Sequence, residues 1–450
     1  MAKIPSNPLA RLLLAANGAL AGLTVDVEDA ASVRAAAALV AEDLMTYYPG
    51  NTPGEPIGIL SAPPDGDYYW WTGGALWSSL LDYRNRSGDT KYDQDISQGL
   101  IFQIGPNDNY MPLNWTSSMG NDDQAIWGLA AVGAEGIGFQ EPGQDNPQWL
   151  TLAKNVFENL HSDDRRVDDG DCDGALRWQI FPSNNGYNYI AANANIFYFN
   201  IAAQLARITG NKTYEDAAKD AYDLLEDIGF ISDKYDVYDG APAQNCKSLN
   251  KGPFSINAAM LLQGSAFMYN HTNGNDDWKK RVDGLVSRTL EVFFPNGVAV
   301  ETACELKNLC TTDMLFYKSF LHRGLGSTIQ LAPYTSAKVL PVLKSSAKSA
   351  AAQCTGGSSG RLCGFHWSSG QFDNKTGPAQ QMGVLSALTS ILPAQGSVAG
   401  NTTTTGSGSS GTSQGTTSSD TPAGNAGTQT AVTLGGMVLI ASQILGSFLI

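Results

Sequence analysis

Apolar residues recur at three- and four-residue spacing from about residue 28 to 392, and long alternating runs are absent. That period is helical, because 3.6 residues per turn brings every third or fourth side chain back to one face. It predicts about twelve helices, over 28–48, 74–87, 92–105, 122–137, 147–161, 191–209, 212–227, 254–272, 276–293, 312–327, 333–351 and 378–392. Breaks rich in Gly and Pro, such as "EPGQDNP", "ITGN" and "FFPNG", separate them. Several links are short, which favours antiparallel neighbours, whereas 49–73, 106–121, 162–190 and 228–253 are long. An even number of helices in hairpins, with alternate links enlarged, predicts an all-α fold of the (α/α)6 toroid type. The long loops would then line one mouth of the inner ring. Small residues in "AIWGLAAVGAEG" and "NAAMLLQGSAFM" suit a crowded inner ring, and no fixed-period repeat supports the competing α-solenoid.

The two ends depart from this pattern. Lys3 and Arg11 precede a short apolar run closing in Ala19-Leu20-Ala21, which reads as a signal peptide over 1–21. Residues 396–425 are dominated by Ser, Thr and Gly, a composition that builds a stalk and not a core. An apolar tail then runs from Met437 to the last residue, with no Lys or Arg after it. The small residues Asn425-Ala426-Gly427, a weakly polar spacer and this tail have the layout of a GPI-attachment signal, with Asn425 as the attachment residue and 426–450 removed. The folded domain is then 22–395, expected to be a monomer tethered by lipid to the outer face of the plasma membrane. Secretion also fits six cysteines, Cys172, Cys246, Cys304, Cys310, Cys354 and Cys363. The close pairs Cys304–Cys310 and Cys354–Cys363 are natural local bridges and leave Cys172–Cys246, although other pairings stay open. Sequons at Asn85, Asn114, Asn211, Asn270, Asn374 and Asn401 fit the same route.

A net charge of -15 argues against a nucleic-acid partner, which would be repelled at long range. The four His, at 161, 271, 322 and 366, are scattered, and no metal or cofactor motif stands out. "DGDCDG" (169–174) imitates the opening of a calcium loop but has Ile180 where the closing Glu belongs, so a solvated acidic loop is the better reading. What remains is carboxylates among aromatics. The stretches "DGDYYWWTGGALW", "NDNYMPLNW", "RWQIFPSNNGYNY" and "KYDVYDG" mix indoles and phenols with amides and acids, a combination that stacks on sugar faces and bonds hydroxyls. They put forward Trp70, Trp71, Asn109, Tyr110, Trp178, Asn185, Tyr187, Tyr235, Asp236 and Asp239 as candidate sugar contacts, with Asn121 and Gln124 beside them.

In "GNDDQAIW" two acids, Asp122 and Asp123, stand side by side at a helix start. Read structurally, they are first-turn acids after an Asn cap, favoured by the helix dipole. Read functionally, they are the two carboxyls of glycoside hydrolysis, one to attack and one to protonate the departing oxygen. Retaining hydrolysis wants the pair about 5–5.5 Å apart, a separation that neighbouring residues reach readily.

Taken together, "YYWWTGGALWSSLLDY", "FQIGPNDNYMPLN", "GNDDQAIWGLAAVGAEG", "LRWQIFPSNNGYNY", "FFPNGVAVETACE", "TTDMLFYKSFLHR", "IQLAPYTSA" and "AAAQCTGG" resemble the fungal GPI-anchored mannan endo-1,6-α-mannosidases of glycoside hydrolase family 76. The likeness runs in register from about 28 to 392. It implies the (α/α)6 barrel, retaining action on α-1,6-mannosidic bonds, Asp122 as nucleophile and Asp123 as acid/base. Nothing in the sequence itself orders the two. The family also implies a role at the cell wall, with α-mannan or a GPI glycan as donor and β-glucan as a possible acceptor in place of water. A non-catalytic wall glycan-binding protein on the same fold is the alternative. Ile126, where an aromatic is expected, Ala175, where Gly is expected, and a longer acidic run over 168–173 are small departures from the pattern.

Overall fold

In the computed structural model the described residues are 22–63 and 65–394, so the expected signal peptide, the expected stalk with Asn401 and Asn425, and the expected removed tail lie outside them. Twelve helices occur among the described residues: α1 (Ala30–Met45), α2 (Trp71–Ser87), α3 (Asp93–Phe102), α4 (Asn121–Gly136), α5 (Trp149–His161), α6 (Ala192–Thr209), α7 (Lys212–Asp227), α8 (Ser255–His271), α9 (Asp276–Phe293), α10 (Tyr317–Leu331), α11 (Ser336–Ala352) and α12 (Pro378–Thr389). Each overlaps a helix expected from the periodicity; the largest shift is at α10, expected over 312–327.

The even-numbered helices form a closed ring, each packed on the next, with α12 returning to α2. Around them α3, α5, α7, α9 and α11 each lie on the helix before them, and α1 lies on α12. The last hairpin of this (α/α)6 toroid is therefore made by the two ends of the domain. Sequence decides the ring. In α7 the buried residues are Tyr214, Ala217, Ala218, Ala221, Tyr222 and Leu225, a single stripe, so one face packs and the other meets water. In α12 every residue is buried, as befits a helix with neighbours all round. Two glycines show how tight the ring is. A Cβ at Gly264 would lie 2.5 Å from the Phe199 ring, and one at Gly128 would lie 2.6 Å from Val156.

All six connections leading into inner helices are long, including two that the sequence reading did not single out, before α10 and α12. The N-terminal ends of the inner helices therefore share one mouth. The three disulfides, Cys172–Cys246, Cys304–Cys310 and Cys354–Cys363, pair as the spacing favoured, and all pin these mouth loops. The helical reading missed a two-stranded antiparallel ribbon, β1 (Tyr189–Ala191) on β2 (Gly240–Pro242), with Ile190 opposite Ala241. Strands of three residues are too short to show a period. In the acidic run Asp171 pairs with Lys247 at 2.8 Å.

Among the sequons, Asn114, Asn211 and Asn374 are exposed. Asn85 is turned into the barrel at 8% exposure, which leaves a glycan no room. Asn270 uses both ends of its amide, accepting from Arg207 at 2.8 Å and donating to the Leu331 carbonyl. A sequon is read from three letters, and these two fall on inner-helix faces that turn inward.

Candidate active site

The chain enters α4 through Gly120, which is the N-cap; Asn121, expected as the cap, is the first helical residue. Asp123 reaches back to accept the Gly120 N–H at 2.7 Å, one half of a capping box. A Cβ there would lie 2.3 Å from Asp122 Oδ1, so a side chain at this position would displace that carboxylate. The same Oδ1 accepts the Asp123 N–H at 3.0 Å. Asp122 Oδ2 accepts two side-chain donors, the Trp178 indole at 3.0 Å and the Asn193 amide at 2.8 Å.

These surroundings separate the two acids. Burial pushes the Asp122 carboxyl up to about 6, against the pull of the Asn193, Trp178 and backbone donors. Asp123 lies well above the ordinary carboxylate range, first through burial and then through the charges of Asp122 and Asp313, with the Gly120 N–H as its one opposing donor. Between about pH 6 and the higher pH at which Asp123 titrates, the arrangement holds one carboxylate beside one carboxylic acid.

Two further acids flank the pair. Asp239 Oδ2 accepts the Tyr189 hydroxyl and the Asn250 amide, and burial raises its carboxyl. Asp313, just before α10, accepts the Trp71 indole at 3.2 Å and is likewise raised by burial. Tyr317 at the start of α10 is held protonated by burial and by the nearby charges of Asp313, Glu301, Asp122 and Asp239. Together these groups make an acid-lined cup at the N-terminal ends of α2, α4, α6 and α10. Trp178 is its most open wall at 36% exposure, and Gly186, at φ +94°, lies flat under the indole.

The layer beneath is rigid and charged. Lys318 and Glu305 are buried and paired at 2.8 Å, and the ammonium also donates to the Phe365 carbonyl. Glu301, fully buried, accepts both the N–H and the hydroxyl of Ser255 at the start of α8, and burial raises it to about 8. Arg165 binds Asn121 Oδ1 at 2.6 Å and Gln124 Oε1 at 3.4 Å, while Asn121 donates to the Arg177 carbonyl. Asn121 and Gln124 are thus the clamp that ties the Trp178 segment to α4, and both are fully buried.

The remaining expected contacts divide. Trp71 reaches the cup through Asp313, and Asp239 is in it. Asn185 is exposed and Tyr187 lies under the Arg177 guanidinium at 4.6 Å, both on the loop that carries Trp178. Trp70 and Tyr110, by contrast, are buried against the two sides of Trp127, with centroids 4.9 and 5.5 Å away, and have no face to offer a sugar. Asn109 is buried and donates to Asn159 at 2.6 Å. Tyr235 and Asp236 belong to the outer wall: the first packs over Gly284 of α9, the second pairs with Arg288 of α9 at 2.7 Å. Asn193, Tyr189, Asn250, Asp313 and Tyr317 were missed. Asn193, Asp313 and Tyr317 had a signal, lying in or beside the first turn of an inner helix as the Asp pair does.

A family model, Glycosyl hydrolase family 76, matches residues 32–404. The chain is 39% identical over 368 residues to the mannan endo-1,6-alpha-mannosidase DCW1 of Saccharomyces cerevisiae, covering 81% of this chain and 80% of that protein. The crystal structure of Dfg5 from Chaetomium thermophilum in complex with glucosamine matches with TM-score 0.79 and 43% identity, over 81% of this chain and 91% of that one. The GH76A alpha-1,6-mannanase of Salegentibacter sp. HEL1_6, at 16% identity and TM-score 0.63 over 81% of this chain and 99% of its own, shares the fold. The chain belongs to glycosyl hydrolase family 76 and is a glycoside hydrolase.

Proposed function

We propose that this protein cleaves α-1,6-linked mannose chains by double displacement, with Asp122 as nucleophile and Asp123 as general acid and then general base. The observation that carries the assignment is the unequal bonding of the two neighbours. Asp122 accepts from Trp178, Asn193 and the Asp123 backbone, whereas Asp123 accepts, among the described residues, from Gly120 alone. Three donors favour the ionised form that an attacking oxygen needs. A buried acid beside that charge keeps its proton for the leaving oxygen.

Attack by Asp122 at the anomeric carbon forms a glycosyl ester while Asp123 protonates the leaving oxygen. Asp123, now ionised, takes a proton from the incoming nucleophile, and that oxygen displaces Asp122. The second inversion restores the α configuration. The incoming nucleophile can be water or a sugar hydroxyl, so the same pair supports transfer to a glycan such as β-glucan. The relatives' names, mannan endo-1,6-alpha-mannosidase, support an α-1,6-mannan or GPI-core mannose donor. In the Salegentibacter enzyme a variant with two adjacent aspartates replaced is described as inactive and in complex with alpha-1,6-mannotriose. The GPI anchor at Asn425 and residence at the plasma membrane and cell wall belong to the same reading, supported by the terminal sequence patterns.

The test is the anomeric configuration of the first product from an α-1,6-mannooligosaccharide, followed by NMR. Double displacement gives α-mannose first. Asp122→Asn and Asp123→Asn should each abolish turnover of this substrate with the fold retained, and full activity in either variant refutes the assignment.

A further inference from the structure

At the end of the ring opposite the acid cup, a cavity of about 130 Å³ opens among the C-terminal halves of α2, α4, α6, α8 and α10. Its lining includes Arg86, Arg207, Arg323 and the carboxylate Asp82. That carboxylate is already engaged: it accepts from Arg86 at 2.7 Å and from the Thr389 hydroxyl at 3.0 Å. Arg86 also donates to the Leu392 carbonyl at 2.8 Å. Arg323 is placed differently. Its guanidinium lies over the Phe320 ring at 4.8 Å, its Nε is buried without a hydrogen-bond partner, and among the described residues no carboxylate pairs with it directly, although the Asp82 charge acts on it from further off.

Arg323, Ser327 and Gln330 all line the cavity and stand on one face of α10, at i, i+4 and i+7. Ser327 Oγ accepts the Gln263 amide at 3.0 Å, which leaves its hydroxyl proton to donate elsewhere. A buried donor left without an acceptor is costly, so a guanidinium in this position calls for a complementary group. We propose that the far-mouth cavity binds a small oxyanion, held by Arg323 with Ser327 and Gln330 as further donors. Arg323, beside an Arg86–Asp82 pair that is already closed, gives the site its sign. The carbonyl ends of the inner helices point the same way and oppose an anion, so they weaken the affinity. The site is independent of the catalytic assignment, because none of its residues belongs to the cup.

The test is thermal unfolding and titration calorimetry on the full chain with inorganic phosphate, in chloride-matched ionic strength, with sulfate and acetate as parallel arms that define which oxyanion fits. At a hundredfold excess over Kd the wild-type midpoint should rise by about 3 °C. Arg323→Met should weaken binding at least about tenfold, and Ser327→Val should weaken it less while preserving the fold. Mannan cleavage should be unchanged in both variants. No heat and no rise in the wild type means that the cavity holds water alone, and the proposal is then wrong. An equal rise in wild type and both variants overturns it too, since general exclusion of phosphate and sulfate from protein surface acts without a site.

Discussion

The Trp178 indole N–H ends on Asp122 Oδ2 at 3.0 Å, and the backbone of Gly186 lies flat against the far side of that indole. One glycine thus sets the aim of one tryptophan, which in turn helps to hold the proposed nucleophile ionised. Trp178→Phe keeps the ring and loses the donor. The Asp122 carboxyl should then rise, so the acid limb of kcat/KM moves to higher pH and activity at pH 5 falls by roughly tenfold, the worth of one charge-assisted bond. Gly186→Ala should act similarly by pushing the indole away, since its φ is also unfavourable to a side chain. An unmoved acid limb in both variants would show that Trp178 is only a wall.

The pH profile of the wild type follows from the two acids. Asp122 must be ionised, so kcat/KM should fall as pH drops through about 6. Asp123 must be protonated, so the rate should fall again on the alkaline side, at a pH above the Asp122 limb. The two limbs are properties of the pair. A profile that stays flat across this range contradicts the assignment.

Stability should carry the mark of the same site. A carboxyl raised on folding favours the native state below its unfolded value, and that contribution is lost as pH rises through the folded value. Asp123 is such a group, so the wild type should lose stability as pH rises from the ordinary carboxylate range toward the raised Asp123 value. Asp123→Asn removes the titration while keeping an acceptor for Gly120. Its melting temperature at pH 7 should exceed that of the wild type by a few degrees, about 1–3 °C, a common cost of a working active site.

Glu301 makes a separate prediction of the same sign. Its contribution should be lost between about 4.5 and about 8, and Glu301→Gln, which can keep both Ser255 bonds, should flatten that decline in a melting-temperature series. Lys318→Met, by contrast, strands Glu305 in the core and should cost about 3–5 kcal/mol in denaturant unfolding.

The helices were legible because each buries a stripe or a whole surface at helical spacing. The closed ring and its single mouth followed from alternating loop lengths. Asp122 and Asp123 were legible as a pair, but their order was not, because it depends on donors 56 and 71 residues away in sequence, Trp178 and Asn193. Trp70 and Tyr110 misled for a related reason: an aromatic beside an amide reads alike whether it faces sugar or clasps Trp127. Tyr235 and Asp236 misled because a long mouth loop can also fold back over the outer ring, where Gly284 and Arg288 receive it.

The most direct test of the central claim is to trap the covalent intermediate and sequence the modified peptide. With Asp123→Ala and a mannoside bearing a leaving group that needs no protonation, the first step should proceed and the second should stall. Mass spectrometry of the digested protein should then find a mannosyl ester on Asp122. An ester elsewhere, or rapid release of β-mannose with no ester formed, would contradict the account.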